Sequence, residues 1–276
     1  MINLDLKNLF SLKGEVALVT GGAGIIGSAV VEGLAYNGAT VIVADIDLKR
    51  ATDLANKINE QLNETTLHPI KVDITDEDSI KSMVNIIVKK FKKIDILHNN
   101  AAGKSNDLNA FFEKFEKYSL DQWNEIMNTD ITSMFLVARE VGNVMSQQST
   151  GGSIIQTSSI YGIMAPDNRI YEGSNYLGRQ INTPAIYSTA KAGVIGLTKY
   201  LATYWADKGI RVNSITPGGV ESGQNEQFIK NYSNRVPLGR MAKAEDMVGA
   251  IVYLASNASS YVTGQNLIVD GGLSAW

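Results

Sequence analysis

Seven short β-branched runs, apolar throughout and separated by helix-period segments, restrict this chain more than any other feature. They are "EVALVT" (15–20), "ATVIVAD" (39–45), "HPIKVD" (68–73), "IDILHN" (94–99), "SIIQTS" (153–158), "IRVNSI" (210–215) and "NLIV" (266–269). Strands that bury one face alternate apolar with polar; strands buried on both faces do not, and they belong to parallel sheets. The intervening segments read as helices. Ile80, Met83, Val84, Ile87, Val88 and Phe91 recur at i, i+3, i+4 spacing behind Thr75, a candidate cap. Ser119 and Gln122 make a capping box ahead of one helix running through residues 123–145, and Val194, Leu197, Leu201 and Trp205 stripe another. Strand–helix alternation from end to end predicts a single-domain, doubly wound α/β fold on a seven-stranded parallel sheet. Residues 1–11 read as an N-terminal extension and 12–276 as the domain. Residues 161–185 break the rhythm with a long polar stretch, and loops of that length are uncommon unless functional.

Bulk properties exclude several functions. Net charge is −3 with scattered basic residues, so no nucleic-acid footprint appears. There is no cysteine, and His68 and His98 are the only histidines, so no metal site is expected. The first ten residues do not read as a signal peptide, and no run of about 18 apolar residues suggests a membrane span. A soluble cytoplasmic protein is expected.

"TGGAGIIG" (20–27) follows the first strand and opens a helix. That context separates a phosphate cradle from an ordinary glycine turn. Glycine allows a sharp turn and close backbone approach at Gly21 and Gly24, while the helix start at Ile25 and Ile26 offers free N–H groups and a positive dipole end. The second strand ends in Asp45, whose carboxylate can accept from ribose hydroxyls and would repel a 2′-phosphate. NAD is therefore expected over NADP.

"YSTAK" places Tyr187 and Lys191 four residues apart, on one helix face. A free phenol ionises near pH 10, so a phenolic base needs help. A nearby ammonium and a cationic nicotinamide ring both favour the phenolate. Such a group suits removal of a hydroxyl proton while hydride leaves the same carbon.

Together these pieces resemble the short-chain dehydrogenase/reductase family, from about residue 12 to residue 272. The glycine cluster, "VDITD" (72–76), "NNAA" (99–102), "TSS" (157–159), "YSTAK", "TPGGVES" (216–222) and "YVTGQNLIVDGG" (261–272) occur in the family's order. The resemblance implies a Rossmann fold and a role for each matching position. Asp73 and Ile74 would contact adenine, and Asn99 and Ala101 would line the cofactor near its ribose. Ser159 would hydrogen-bond the reacting oxygen, with Tyr187 as acid/base and Lys191 on the nicotinamide ribose. Pro217, Gly218, Val220 and Ser222 would hold the carboxamide end. The family is usually tetrameric or dimeric, which implies a homo-oligomer.

Three departures stand out. The family's short type commonly reads TGxxxGxG, which puts glycine where Ile25 stands. The spacing here, through Gly21, Gly24 and Gly27, matches a longer branch whose substrate domain this chain has no room for. Ile25 thus reads as a variant of the cradle. Asp130 falls where the family has an active-site asparagine that helps hold a proton-path water. Finally, 28 positions separate Ser159 from Tyr187, about twice the usual gap.

The added length is polar, as is the lid region 222–240. Both suit a hydroxyl-rich ligand, and the arrangement resembles dehydrogenases of surface-glycan and flagellin-sugar biosynthesis. A sugar derivative is the expected substrate, with Arg169, Arg179 or Arg235 available to a phosphate. The expected function is an NAD(P)-dependent oxidoreductase interconverting a secondary alcohol and a ketone. A non-catalytic dinucleotide sensor or scaffold and a sugar-nucleotide epimerase or dehydratase are the alternatives.

Overall fold

A computed structural model describes residues 5–276 apart from 104, 106 and 177, together with the side chains of all these except 6, 7, 176, 179 and 180. A short helix, α1 (Leu6–Phe10), leads into β1 (Val16–Thr20). Then follow α2 (Ile25–Tyr36), β2 (Thr40–Asp45), α3 (Leu48–Leu62), β3 (Leu67–Lys71), α4 (Glu77–Phe91) and β4 (Ile96–Asn99). The second half carries α5 (Leu108–Phe111), α6 (Leu120–Met127), α7 (Ser133–Ser146), β5 (Gly152–Thr157) and a two-residue hairpin, β6 (Asn175–Tyr176) with β7 (Arg179–Gln180). It ends with α8 (Ala185–Tyr204), β8 (Ile210–Pro217), α9 (Glu226–Ser233), α10 (Val248–Ala255) and β9 (Asn266–Val269).

The main sheet has seven strands in the order β3-β2-β1-β4-β5-β8-β9, all parallel. Each of the seven apolar runs supplies one strand. The pleat sends Ala17 and Val19 to one face and Val16 and Leu18 to the other. On the first face they meet Val30 and Leu34 of α2, Ala51 and Ile58 of α3 and Ile251 of α10. On the second they meet Ile80 and Ile87 of α4, Val141 of α7 and Leu201 of α8. Both faces are covered, which is why these strands lack alternation. Strand order reverses between β1 and β4, opening a crevice at their C-terminal ends, where such folds bind ligands.

Three local expectations change. Thr75 does not cap α4: Asp73 Oδ1 accepts both its N–H and its hydroxyl, and Asp76 caps instead. Only half of the second capping box forms. Ser119 Oγ accepts from Gln122 N–H, but the Gln122 amide turns to Glu125. The single helix expected through 123–145 is interrupted by a π-turn, Asn128–Thr132, between α6 and α7. One extra residue shifts the apolar stripe by about 100°, but a single shift inside a long apolar stretch is hard to tell from ordinary irregularity in the pattern.

The 161–185 stretch is polar on average but apolar on its inner side. A 3₁₀ turn at Asn168–Tyr171 buries Ile170 and Tyr171 against Phe228 and Tyr232 of α9. Asn231 of α9 donates to the carbonyls of Ile170 (3.3 Å) and Glu172 (2.9 Å).

Candidate active site

The turn after β1 keeps the shape a dinucleotide requires. Gly21 is its left-handed residue (φ +61°), and a side chain there would also press on Ala101. A Cβ at Gly27 would lie 2.0 Å from Gly21 O, so glycine alone lets α2 start this close to the strand. Gly27 was visible in the sequence only as part of the spacing. Gly24 is extended (φ −75°), the N-cap of α2. Ile25 occupies the first helical position with its side chain toward solvent, so it replaces a glycine without a clash. The N–H groups of Ile25, Ile26 and Gly27 have no acceptor among the described residues. Such a helix start is a ready anion site. The residues present therefore fit a dinucleotide pyrophosphate.

Asp45, at the end of β2, is nearly buried and faces this turn. Its carboxylate accepts from the N–H of Ala23 (2.9 Å) and of Asp47 (3.1 Å). Arg50 Nη2 donates to the Ala23 carbonyl at 2.7 Å. Both polar atoms of the Ala23 peptide are thus tied to the β2–α3 turn. Asp73 and Ile74 follow β3 nearby, the Asp73 carboxylate turned to Thr75.

At the end of β4 the two asparagines divide the work. Asn99 was expected beside the ribose, but its side chain is buried in the frame. It donates to Met134 O (2.9 Å) and to Gln156 Oε1 (3.1 Å). Thr20 Oγ1 accepts the N–H groups of Asn100 (3.0 Å) and Ala101 (3.1 Å), fastening β4 to β1 at the crevice. Asn100, not Asn99, lines the cavity. The period of two along a strand was the available signal, since neighbouring residues must face opposite ways.

That cavity, about 430 Å³, brings together Ser159, Tyr187 and Lys191. Ser159 follows β5 and its hydroxyl accepts from Tyr161 N–H at 3.3 Å. Tyr187 and Lys191 project from α8, with Lys191 Nζ 5.8 Å from the Tyr187 ring centre. Lys191 is buried and donates to Thr157 O at 3.3 Å. Pro217, Gly218, Val220 and Ser222 form the wall toward α9, and Ile26 reaches the opposite end.

Asp130 lies in the π-turn, fully buried. Its Oδ1 accepts from Gly103 N–H at 3.0 Å, while Oδ2 has no partner among the described residues. Burial raises its pKa; the nearby Lys191 charge and the Gly103 hydrogen bond pull the other way. A π-bulge widens the helix at a point where function is often found. The side chain, as well as the backbone, is thus available to a water next to Lys191.

Three further tyrosines, 161, 171 and 232, surround Tyr187 and remain neutral phenols. Burial is the main cause in each, and it pushes Tyr232 up to about 12. Tyr171 was legible as part of the polar loop suited to a hydroxyl-rich ligand, whereas Tyr161 and Tyr232 were not singled out. The charges of this region lie elsewhere: Arg169 and Arg235 both pair with Asp167, and neither lines the cavity. Arg169 and Arg235 are therefore not among the groups that this cavity brings together. Arg179 sits in β7 by its backbone, and its side chain lies outside the described residues. Among the described lining residues Lys191 is the only charged one.

Comparison with known proteins agrees with this geometry. The family model for enoyl-(acyl carrier protein) reductase matches residues 21–274. The chain is 36% identical to an NADP-dependent mannitol dehydrogenase from Alternaria alternata, over 97% of this chain and 95% of that one. It is similar in structure to a short-chain dehydrogenase from Leptospira borgpetersenii with bound NAD+ (TM-score 0.81, 35% identity, 99% and 97% of the two chains). A gluconate 5-dehydrogenase from Burkholderia cenocepacia in complex with NADP and tartrate superposes at TM-score 0.85 with 28% identity, over 99% and 100% of the two chains. A cradle that fits NAD(P), a tyrosine beside a buried lysine and these relatives lead to one conclusion: the chain belongs to the short-chain dehydrogenase/reductase family of oxidoreductases.

Proposed function

We propose that the protein interconverts a secondary alcohol and a ketone on an uncharged, polyhydroxylated substrate of the sugar class, preferring NAD to NADP. The observation that carries this reading is the cavity wall. Ser159 and Tyr187 share it with the hydroxyls of Tyr161, Tyr171 and Thr183, and no carboxylate or guanidinium of a described residue faces in. Neutral donors and acceptors on aromatic walls suit hydroxyl groups. The relative named for mannitol supports the same class, and the one named for gluconate, a carboxylate, supports only its polyhydroxylated character.

In this mechanism the Ser159 hydroxyl donates to the substrate oxygen, and Tyr187 takes that oxygen's proton during oxidation or returns it during reduction. A nicotinamide, when bound, would supply the hydride chemistry at the same carbon. Lys191, with Nζ 5.8 Å from the Tyr187 ring centre, would hold the nicotinamide ribose. Asp130 holds a water that replenishes the proton. Gly21, Gly24 and the N–H groups of Ile25 and Ile26 would hold the pyrophosphate, and Asp45 the adenosine ribose. The Asp45 charge beside a 2′-phosphate is the reason for NAD preference. Self-association through α7 and α8 belongs to the same reading, because Phe135, Tyr200 and Tyr204 stay exposed there.

Fluorescence titration with NADH and NADPH tests the cofactor half. Tighter NADH binding, with the preference lost in Asp45→Ala, is expected; equal affinities in the wild type refute it. Tyr187→Phe tests the chemistry. Turnover should fall by roughly 10²–10⁴-fold with NADH binding kept. Retained turnover would remove Tyr187 from the mechanism.

A further inference from the structure

The 161–185 segment brings three polar groups to the cavity wall that the reaction itself does not use. The Tyr171 hydroxyl is hydrogen-bonded to Thr183 Oγ1, joining two parts of the segment twelve residues apart. Asn182 donates from Nδ2 to Phe112 O at 3.0 Å, and its Oδ1 is buried without a partner among the described residues. All three residues line the cavity that holds Ser159 and Tyr187.

These groups are held firmly. Tyr171 is 5% exposed, and its ring centre lies 5.7 Å from that of Phe228 on α9. The Asn231 amide fixes the backbone on either side of it. A buried acceptor without a partner costs about 1–3 kcal/mol, so native proteins reserve such atoms for water or a ligand. The tyrosine–threonine pair spends one O–H on the bond that joins it, and Tyr171 also meets the Tyr161 hydroxyl, so the threonine oxygen chiefly keeps spare capacity to accept. A further hydroxyl placed between them and Asn182 could donate to either acceptor. A carboxylate or phosphate would meet the Asn182 oxygen as a like dipole.

We propose that Tyr171, Asn182 and Thr183 form a subsite that reads a second hydroxyl of the substrate, beside the one that reacts. The long segment between Ser159 and Tyr187 then exists to carry this subsite, with α9 as its backing. The proposal rests on the alcohol–ketone reading above, so its test separates the two.

Oxidation of cyclohexanol, 1,2-cyclohexanediol and 1,3-cyclohexanediol is measured with NAD. The wild type should favour at least one diol in kcat/KM by about tenfold or more, since sites built to bond a hydroxyl discriminate strongly against its absence. Tyr171→Phe, and separately Thr183→Val, should lower that diol-to-alcohol ratio by about tenfold. Melting temperature and the Kd for NADH report whether each variant is folded. A wild type without diol preference, or a preference kept in both folded variants, overturns the subsite. If the wild type oxidises none of the three, its NADH complex is titrated calorimetrically with mannitol. Saturable binding that weakens about tenfold in Tyr171→Phe keeps the subsite while the dehydrogenase reading falls, and no binding overturns it.

Discussion

Asp130 puts a carboxylate where the family resemblance implies an amide, and its surroundings make the difference measurable. Burial raises its pKa, against the pull of Lys191 and the Gly103 N–H. A carboxyl group whose folded pKa is raised contributes stability below its unfolded value, and loses it as pH rises through the folded value. An asparagine does not titrate. The melting temperature of Asp130→Asn relative to wild type should therefore climb as pH is raised from about 4 to 8. Parallel melting curves would mean the carboxyl does not titrate in the folded protein. Turnover should survive in Asp130→Asn but fall by about tenfold or more in Asp130→Ala, because a polar group there serves acid–base chemistry. The residue scale also shows where sequence reading stops. Tyr187, Lys191 and Ser159 were legible because motif and chemistry coincide. Asn99 and Asn100 were not separable, since the motif names both and only strand geometry decides which faces the crevice. Arg169 and Arg235 could not be placed, because a sequence lists charges without showing which of them line a cavity.

Element by element, the glycine turn and α2 explain how the cradle keeps its form with Ile25 in it. The positions that require glycine are Gly21, by its left-handed backbone, and Gly27, by its contact with the Gly21 carbonyl. Gly27→Ala should push α2 off β1, costing about 1–3 kcal/mol of stability and weakening NADH binding. Ile25→Gly should cost at most about 1 kcal/mol, as a helix propensity effect at an exposed site, with NADH binding kept. Urea denaturation and fluorescence titration of both variants decide this. Loss of binding in Ile25→Gly alone would make the isoleucine, not the turn, responsible. The strands were readable because burial on both faces leaves an apolar run in the sequence. The π-turn was not, because a single phase shift in the apolar stripe is hard to tell from ordinary irregularity in it. The 161–185 segment misled for a related reason: its average polarity hid Ile170 and Tyr171, which anchor it to α9.

Across the whole molecule, the sheet separates chemistry at its C-terminal edge from a second charged cluster at the other end. There Lys93 Nζ lies 2.8 Å from Asp95 Oδ2 and 4.0 Å from Glu15 Oε2, and Asp95 also accepts from Val16 N–H. Partial burial, then the charge and hydrogen bond of Asp95, raise the pKa of Glu15 from 4.5 to about 6. The raised value means that Glu15 contributes stability below pH 4.5 and loses it as pH rises through about 6. A shift of that size corresponds to about 2 kcal/mol, reduced to roughly 1 kcal/mol for a half-exposed group. Glu15→Gln, which stays neutral, should therefore be about 1 kcal/mol more stable relative to wild type at pH 7 than at pH 4.5. Urea denaturation at the two pH values measures this, and a pH-independent difference would uncouple Glu15 from folding. NADH affinity should not follow the change, because the cluster lies at the N-terminal ends of the strands and the cradle at their C-terminal ends. An affinity that tracks Glu15 would mean the sheet transmits charge effects between its two edges.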